Sequence, residues 1–166
     1  PVRTFQDFPT LDLLSEGRAE LLVGRGSFIE SFPLFGYSLS DYHELFAEKL
    51  DLLVELTRHE RVSWEGRFRP ALQDQPVYPR PAQDPLPVWV GVGGTHSSIV
   101  RAARIGLPVA LAITGGDPAR FRAFSDLYRR TLDESGHDPA TPLAVHGIGF
   151  VGDDAEQASE DIYPTF

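Results

Sequence analysis

The hydrophobic residues of the chain fall into short continuous runs that alternate with longer segments of helical periodicity. Short apolar runs bounded by polar and glycine residues are typical of strands buried on both faces, as in a parallel sheet. Four segments have this pattern and are predicted as strands: 18–24, 88–92, 108–113 and 143–151. Because helical segments separate them, the pattern predicts a parallel β/α architecture with right-handed crossovers.

The helical segments have apolar residues three and four positions apart and recognisable capping residues at their ends. The longest predicted helix runs from about Leu39 to His59, with Ser40 and Asp41 as its N-terminal caps. Its histidines, His43 and His59, are expected to face solvent. The other predicted helices are a turn at 10–14 that follows an irregular segment 1–9, a helix at 97–105, a helix at 119–135 with Asp117 as its N-cap, and a helix beginning at 153–154.

The segment 61–87 differs from the rest of the chain because it is rich in proline. Repeated prolines exclude a long helix or a central strand there. Its aromatic residues, Trp64, Phe68 and Tyr78, favour an ordered insertion across the surface over a flexible linker. We therefore predict a proline-rich insertion at 61–87 within a single domain spanning residues 1–166.

The number of strand–helix units limits the architecture. Four units correspond to about half of an eight-stranded barrel, which needs about 250 residues. The 166-residue chain is therefore predicted to be part of a (β/α)8 barrel. It contains no methionine and starts at Pro1 without a signal peptide, so we expect Pro1 to be an internal residue of a longer protein.

Charge and composition exclude several classes of function. Lysine and arginine number 15 against 24 acidic residues, a net charge of −9, whereas a nucleic-acid-binding domain is expected to be basic. No apolar run approaches the length of a membrane span. The chain has no cysteine, which excludes disulfides, thiolate nucleophiles and cysteine-ligated metal centres within it. Its five histidines lack a metal-ligand spacing, so no metal site is predicted.

Ligands of parallel β/α proteins bind beyond the carboxyl ends of the strands, where three loops of this chain lie. The loop 93–98 has two glycines that let backbone N–H groups approach an anion, and the next helix points its positive end there. The same residues are equally consistent with a tight turn rich in small side chains. In the loop 24–27, Arg25 is suited to a phosphate or carboxylate, or to pairing with a nearby acid. The third loop is 114–117.

Several motifs in a fixed order resemble the luciferase-like flavin-dependent monooxygenases. The segments 11–18 and 22–26 resemble the family stretch LDxLSxGR followed by GxGRG. The segment 32–36 resembles the DFRVFG stretch of the bacterial luciferase α subunit. The segments 78–83 and 87–90 resemble PKPxQ followed by PPIWVG, and 106–108 and 135–138 also have luciferase counterparts. The similarity extends over nearly the whole chain.

The resemblance implies a fold and a set of cofactor contacts. It implies a luciferase-like TIM barrel, of which this chain lacks the first three strands and the eighth strand. By this resemblance, the residues of this chain that are expected to contact the flavin phosphate are Arg25, Gly93, Gly94, Thr95 and Ser98. The catalytic histidine that luciferases carry on an early strand would precede Pro1, so no catalytic residue is named.

The resemblance also implies an activity, with alternatives left open. It implies a bacterial, cytoplasmic monooxygenase or oxidoreductase that uses reduced FMN and O₂ on a small organic substrate. The flavin would be reduced by a separate flavin reductase or with NAD(P)H, and a homo-oligomer is expected. The alternatives are a deazaflavin-dependent oxidoreductase of the same superfamily, a non-catalytic flavin-binding protein, and a barrel enzyme that binds a phosphorylated metabolite.

Overall fold

A computed structural model describes residues 1–114 and 117–165. They divide into two compact units, Pro1–Gly91 and the described residues from Val92 onward. Two glycines of the third predicted loop, Gly115 and Gly116, lie outside the described residues. The prediction that residues 1–166 form a single domain stays a prediction.

The first unit combines three helices with a parallel strand pair and a separate antiparallel hairpin. In chain order its elements are α1 (Val2–Leu14), β1 (Leu21–Val23), α2 (Ser31–Leu34), α3 (Tyr42–Arg58), β2 (Arg61–Trp64), β3 (Leu72–Pro76) and β4 (Val88–Val92), which ends at the first residue of the second unit. β1 and β4 are parallel, with Leu21 opposite Val88 and Val23 opposite Val90. The predicted parallel β/α arrangement is thus confirmed for this strand pair.

Helix α1 corrects the prediction of an irregular segment before Thr10. The helix begins at Val2 and includes Pro9. Phe5, Pro9 and Asp12 lie at helical spacing on one face and are all buried. Burial of this face stabilises a helix that local propensity disfavours, since proline lacks the N–H of a regular helical turn. The helix ends as predicted, with Gly17 at φ +80°.

Two further expectations in this unit need correction. Strand β1 is not buried on both faces, because Leu21 is buried whereas Leu22 on the opposite face is 60% exposed. Helix α3 is confirmed, but its predicted caps are not. A 3₁₀ turn at Leu39–Asp41 precedes it, and there the Ser38 hydroxyl accepts a hydrogen bond from the Ser40 N–H. Asp41 instead forms an ion pair with Arg67 at 3.0 Å.

The proline-rich segment is ordered and begins with the hairpin β2–β3, which the sequence did not indicate. β2 and β3 pair in antiparallel fashion in a sheet of their own, consistent with the exclusion of a central strand. The Glu48 carboxylate of α3 accepts hydrogen bonds from the N–H groups of Arg67 (2.7 Å) and Phe68 (3.0 Å) in the hairpin loop. A side chain at Gly66 would come within 2.5 Å of that carboxylate, so glycine allows the loop to approach α3 this closely.

A buried carboxylate joins α1 to the end of the proline-rich segment. Asp12 is fully buried, and its oxygens accept hydrogen bonds from the Gln83 N–H (2.9 Å), Gln83 Nε2 (2.7 Å) and the Ala19 N–H (3.2 Å). The hydrogen bond from the Gln83 N–H, with those from the Gln83 side chain and the Ala19 N–H, lowers the pKa of Asp12 despite the opposing effect of burial. Asp12 and Gln83 come from two separate luciferase-like motifs, which this contact brings together.

We expect Asp12 to make stability depend on acid. Because its folded-state pKa lies below its unfolded value of about 3.9, Asp12 stabilises the fold above that pH. This stabilisation is lost as the pH falls below about 4 through the folded-state pKa. Asp12→Asn should therefore lower the urea midpoint of unfolding at pH 7. Between pH 5 and 2, the midpoint of this variant should fall less than that of the parent.

The matched control is Asp74→Asn. Asp74 is an exposed carboxylate whose pKa is lowered by the hydrogen bond from Arg61. Its contribution should be small and should weaken in salt. Identical acid dependence of the Asp12→Asn variant and the parent would contradict the role of Asp12.

The second unit follows the predicted order of helices and strands. Its elements are α4 (His96–Arg104), β5 (Val109–Ile113), a 3₁₀ turn (Pro118–Phe121), α5 (Arg122–Glu134), β6 (Leu143–Gly147), α6 (Ala155–Ile162) and a 3₁₀ turn (Tyr163–Thr165). β5 and β6 are parallel. The Asp117 carboxylate accepts a hydrogen bond from the Ala119 N–H at 2.8 Å, so it is a cap as predicted, but it caps the 3₁₀ turn, and α5 begins only at Arg122. β6 stops at Gly147 rather than Val151 because its partner β5 ends opposite it at Ile113.

The core of this unit centres on Tyr128 of α5. Its ring is fully buried, and its hydroxyl donates a hydrogen bond to the Leu107 carbonyl at 2.8 Å. Burial raises the pKa of Tyr128 to about 12, so it remains a hydrogen-bond donor at neutral pH. Gly106 and Gly136 have positive φ angles after α4 and α5, a conformation typical of residues that follow helix ends.

Candidate functional site

Arg25 lies in the loop after β1 and is held by the first turn of α3. Its guanidinium carbon is 4.9 Å from the centroid of the Tyr42 ring. Its Nη1 is 3.0 Å from Nδ1 of His43. The Tyr42 hydroxyl donates a hydrogen bond to the carbonyl of Gly26 at 3.0 Å, which fixes the loop against the same helix. Arg25 is therefore positioned by two adjacent side chains of α3.

The contact with His43 defines the tautomer of that ring. A guanidinium can only donate hydrogen bonds, so Nδ1 of His43 accepts and Nε2 carries the proton of the neutral ring. His43 is exposed, in line with the prediction that it faces solvent, but the sequence did not indicate its contact with Arg25. The two residues are 18 positions apart, and only the return of the chain from α2 into α3 brings them together.

A cavity opens beside Arg25 within the first unit. It has a volume of about 370 Å³ and lies between the loop after β1, the residues around α2 and the first half of α3. Arg25 and Lys49 contribute its positive charge, and five aromatic side chains line much of the rest: Phe32, Phe35, Tyr37, Tyr42 and Phe46. Lys49 was not among the residues singled out from the sequence, because its position at the cavity depends on the course of 31–42.

The loop 93–95 of the second unit leads directly into α4. Gly94 has φ +103°, a conformation that favours glycine, and a side chain added at Gly93 would meet nothing within 4 Å. Thr95 occupies the N-cap position of α4 but its side chain makes no capping hydrogen bond. The first N–H groups of a helix have no acceptor within it, and together with the helix dipole they favour an anion at this end.

The serine predicted for the same site is in a different environment. Ser98 is 9% exposed, and its N–H donates to the Thr95 carbonyl at 3.1 Å within the first turn of α4. His96 packs its ring on Phe124 of α5, with centroids 4.9 Å apart. The roles of Arg25, Gly93, Gly94, Thr95 and Ser98 as cofactor contacts remain predictions, and each residue has been described within its own unit.

The described residues lack two other kinds of feature. No helix there combines the length and the hydrophobicity needed to cross a bilayer. The same part of the chain contains no group of three or more His, Asp or Glu side chains arranged to hold a metal ion.

Comparison with known proteins places these features in a family context. The family model described as luciferase-like monooxygenase matches residues 1–166. An F420-dependent glucose-6-phosphate dehydrogenase of Amycolatopsis mediterranei is 35% identical over 97 residues, which are 57% of this chain and 28% of that protein. The alkanal monooxygenase alpha chain of the Kryptophanaron alfredi symbiont is 29% identical over 141 residues, which are 83% of this chain and 38% of that protein.

Solved structures agree with the sequence comparison. The monooxygenase RslO1 from Streptomyces bottropensis matches with a TM-score of 0.84 and 26% identity, covering 97% of this chain and 49% of that protein. This match confirms the predicted α/β fold of the luciferase-like barrel type. The chain spans between about a quarter and a half of the length of the proteins named here.

Proposed function

The chain belongs to the luciferase-like monooxygenase family, and on this basis we propose that the protein is an oxidoreductase that uses reduced FMN and O₂ on a small organic substrate. The observation that carries the proposal is Arg25, which is held at the carboxyl end of β1 by Tyr42 and His43. A preorganised guanidinium is suited to binding phosphate through paired hydrogen bonds. In a chain of net charge −9, such a residue stands out as a contact for an anionic cofactor.

The residues present fit the phosphate of such a cofactor. We assign phosphate contacts to Arg25 in the first unit and to four residues of the second unit: Gly93, Gly94, Thr95 and Ser98. The open space at Gly93 and the positive φ of Gly94 suit a backbone that approaches an anion. Ser98 is the least exposed residue of the set. We therefore base its assignment on its position in the first turn of α4 and not on an exposed hydroxyl group.

The protein's own contribution is binding and orientation. When bound, reduced FMN would supply the two electrons that let one atom of O₂ enter the substrate while the other leaves as water. Arg25 would anchor the phosphate, and the Tyr42–His43 pair would keep the guanidinium in place. A reductase that uses NAD(P)H would supply the reduced flavin.

A second candidate is a deazaflavin-dependent oxidoreductase. It is favoured by the similarity to F420-dependent glucose-6-phosphate dehydrogenases, which reaches 35–37% identity over 97 residues. F420 also carries a phosphate, so the same residues would bind it. The two candidates differ in the need for O₂ and in which cofactor binds more tightly.

Cofactor titrations of the purified protein test both candidates. We expect FMN or F420 to bind at least 10-fold more tightly than riboflavin or the F420 chromophore that lacks phosphate, measured by cofactor fluorescence. Equal affinities with and without phosphate would contradict the assigned contacts, and failure of both cofactors to bind would contradict the proposal. Tight flavin binding without NAD(P)H oxidation or substrate turnover would indicate a non-catalytic flavin-binding protein.

A further inference from the structure

The cavity beside Arg25 has the size and lining of a small-molecule site. Its volume of about 370 Å³ falls in the range of about 300–1,000 Å³ usual for ligand pockets, which are mostly apolar with a few polar groups. Phe32 and Tyr42 pack with ring centroids 5.6 Å apart, and Phe35 is 71% exposed at the edge of the cavity. Flat aromatic walls of this kind favour a planar apolar ligand.

The second cation of the cavity is Lys49, the only lysine among the 166 residues. Its Nζ lies 3.8 Å from the centroid of the Tyr37 ring, so the ring holds the ammonium at the cavity wall. Within the described part of the chain, Lys49 forms no ion pair with a carboxylate. The neighbouring Glu48 is engaged with the N–H groups of Arg67 and Phe68. An anionic ligand group would complete the environment of this ammonium.

From the aromatic lining and Lys49 together, we infer that this cavity binds a planar aromatic carboxylic acid, with Lys49 as the partner of the carboxylate. A single ammonium matches the single charge of a carboxylate, whereas a phosphate is better served by a guanidinium fork or several N–H groups. Arg25 would then bind the cofactor phosphate, and Lys49 would select the second ligand. That this ligand is the substrate rests on the proposed function, whereas its binding to the cavity does not.

The single lysine allows a direct test. The purified protein is reductively methylated with ¹³C-formaldehyde, and the dimethyl-Lys49 signal is assigned by its loss in Lys49→Arg. Titration with 2-naphthoate should shift this signal saturably at a lower ligand concentration than 2-naphthamide, which has the same rings without the charge. By calorimetry, Lys49→Gln should weaken 2-naphthoate binding about 10-fold and leave 2-naphthamide binding unaltered.

A second variant separates the role of the rings from that of the charge. Phe35→Ser alters a side chain that is 71% exposed, and it should weaken both ligands by a similar factor. Equal binding of 2-naphthoate and 2-naphthamide, or unchanged 2-naphthoate binding in folded Lys49→Gln, would overturn the inference. If FMN or F420 binds but 2-naphthoate does not, the cavity assignment fails and the proposed function stands. If only 2-naphthoate binds, the proposed function fails.

Discussion

Replacing Arg25 with alanine is expected to weaken FMN or F420 binding by about 10- to 150-fold, equivalent to about 1.4–3 kcal/mol for hydrogen bonds to a charged group. The reason is the loss of a guanidinium that Tyr42 and His43 hold in place. Arg25→Lys should recover only part of the affinity, because an ammonium keeps the charge but lacks the planar fork. Cofactor fluorescence titration measures each dissociation constant.

Two controls make this result specific to the phosphate. The affinity for riboflavin, which has no phosphate, should be nearly the same in Arg25→Ala and the parent. Arg3→Ala removes another exposed arginine of the same unit, and it should leave FMN binding unchanged beyond a small effect of net charge. A parallel loss of FMN and riboflavin affinity would mean that Arg25 maintains the loop rather than contacts the phosphate.

Replacing Arg80 with alanine is expected to destabilise the fold by about 3 kcal/mol, less than the full sum for three charged hydrogen bonds and a cation–π contact because Arg80 is only half-buried. The Arg80 guanidinium donates to the carbonyls of Leu56 (2.7 Å), Thr57 (2.9 Å) and His59 (3.0 Å) at the end of α3. It also lies 4.9 Å from the ring centroid of the buried Phe5 in α1. Urea unfolding followed by circular dichroism gives the free energy.

The controls for Arg80 test the geometry of its side chain. Arg80→Lys should recover little stability, because one ammonium cannot reach three carbonyls arranged around a helix end. Arg130→Ala, which removes an exposed ion pair with Glu134 at 3.9 Å, should cost no more than about 1 kcal/mol. If Arg80→Ala and Arg130→Ala prove equally stable, the helix-end contacts of Arg80 contribute little.

The parts of the fold that follow from local periodicity could be predicted from the sequence. The helix α3 and the strands β4 and β5 have strong apolar patterns, and the structure agrees with them. α1 could not be predicted because its stability depends on burial of Phe5 and Asp12, which are partnered by residues more than 60 positions away. The β2–β3 hairpin was missed for a similar reason, since its loop is fixed by carboxylates of α3.

The candidate site was only partly accessible from the sequence. Arg25 follows an apolar strand and lies between two glycines, a local signal that singled it out. Tyr42, His43 and Lys49 gave no such signal, because residues of an amphipathic helix near its polar face usually face solvent. Their importance depends on the path of 26–41, which places the aromatic side chains around the cavity.

The division into two units has a practical consequence for spectroscopy. Both tryptophans, Trp64 and Trp89, belong to the first unit, and the second unit contains none. Tryptophan emission is therefore a probe of the first unit, whereas near-ultraviolet tyrosine signals come from both units, with three tyrosines in the first and two in the second. A thermal scan that follows tryptophan emission and far-ultraviolet circular dichroism together would test whether the chain unfolds in one cooperative transition, because the two probes then have the same midpoint.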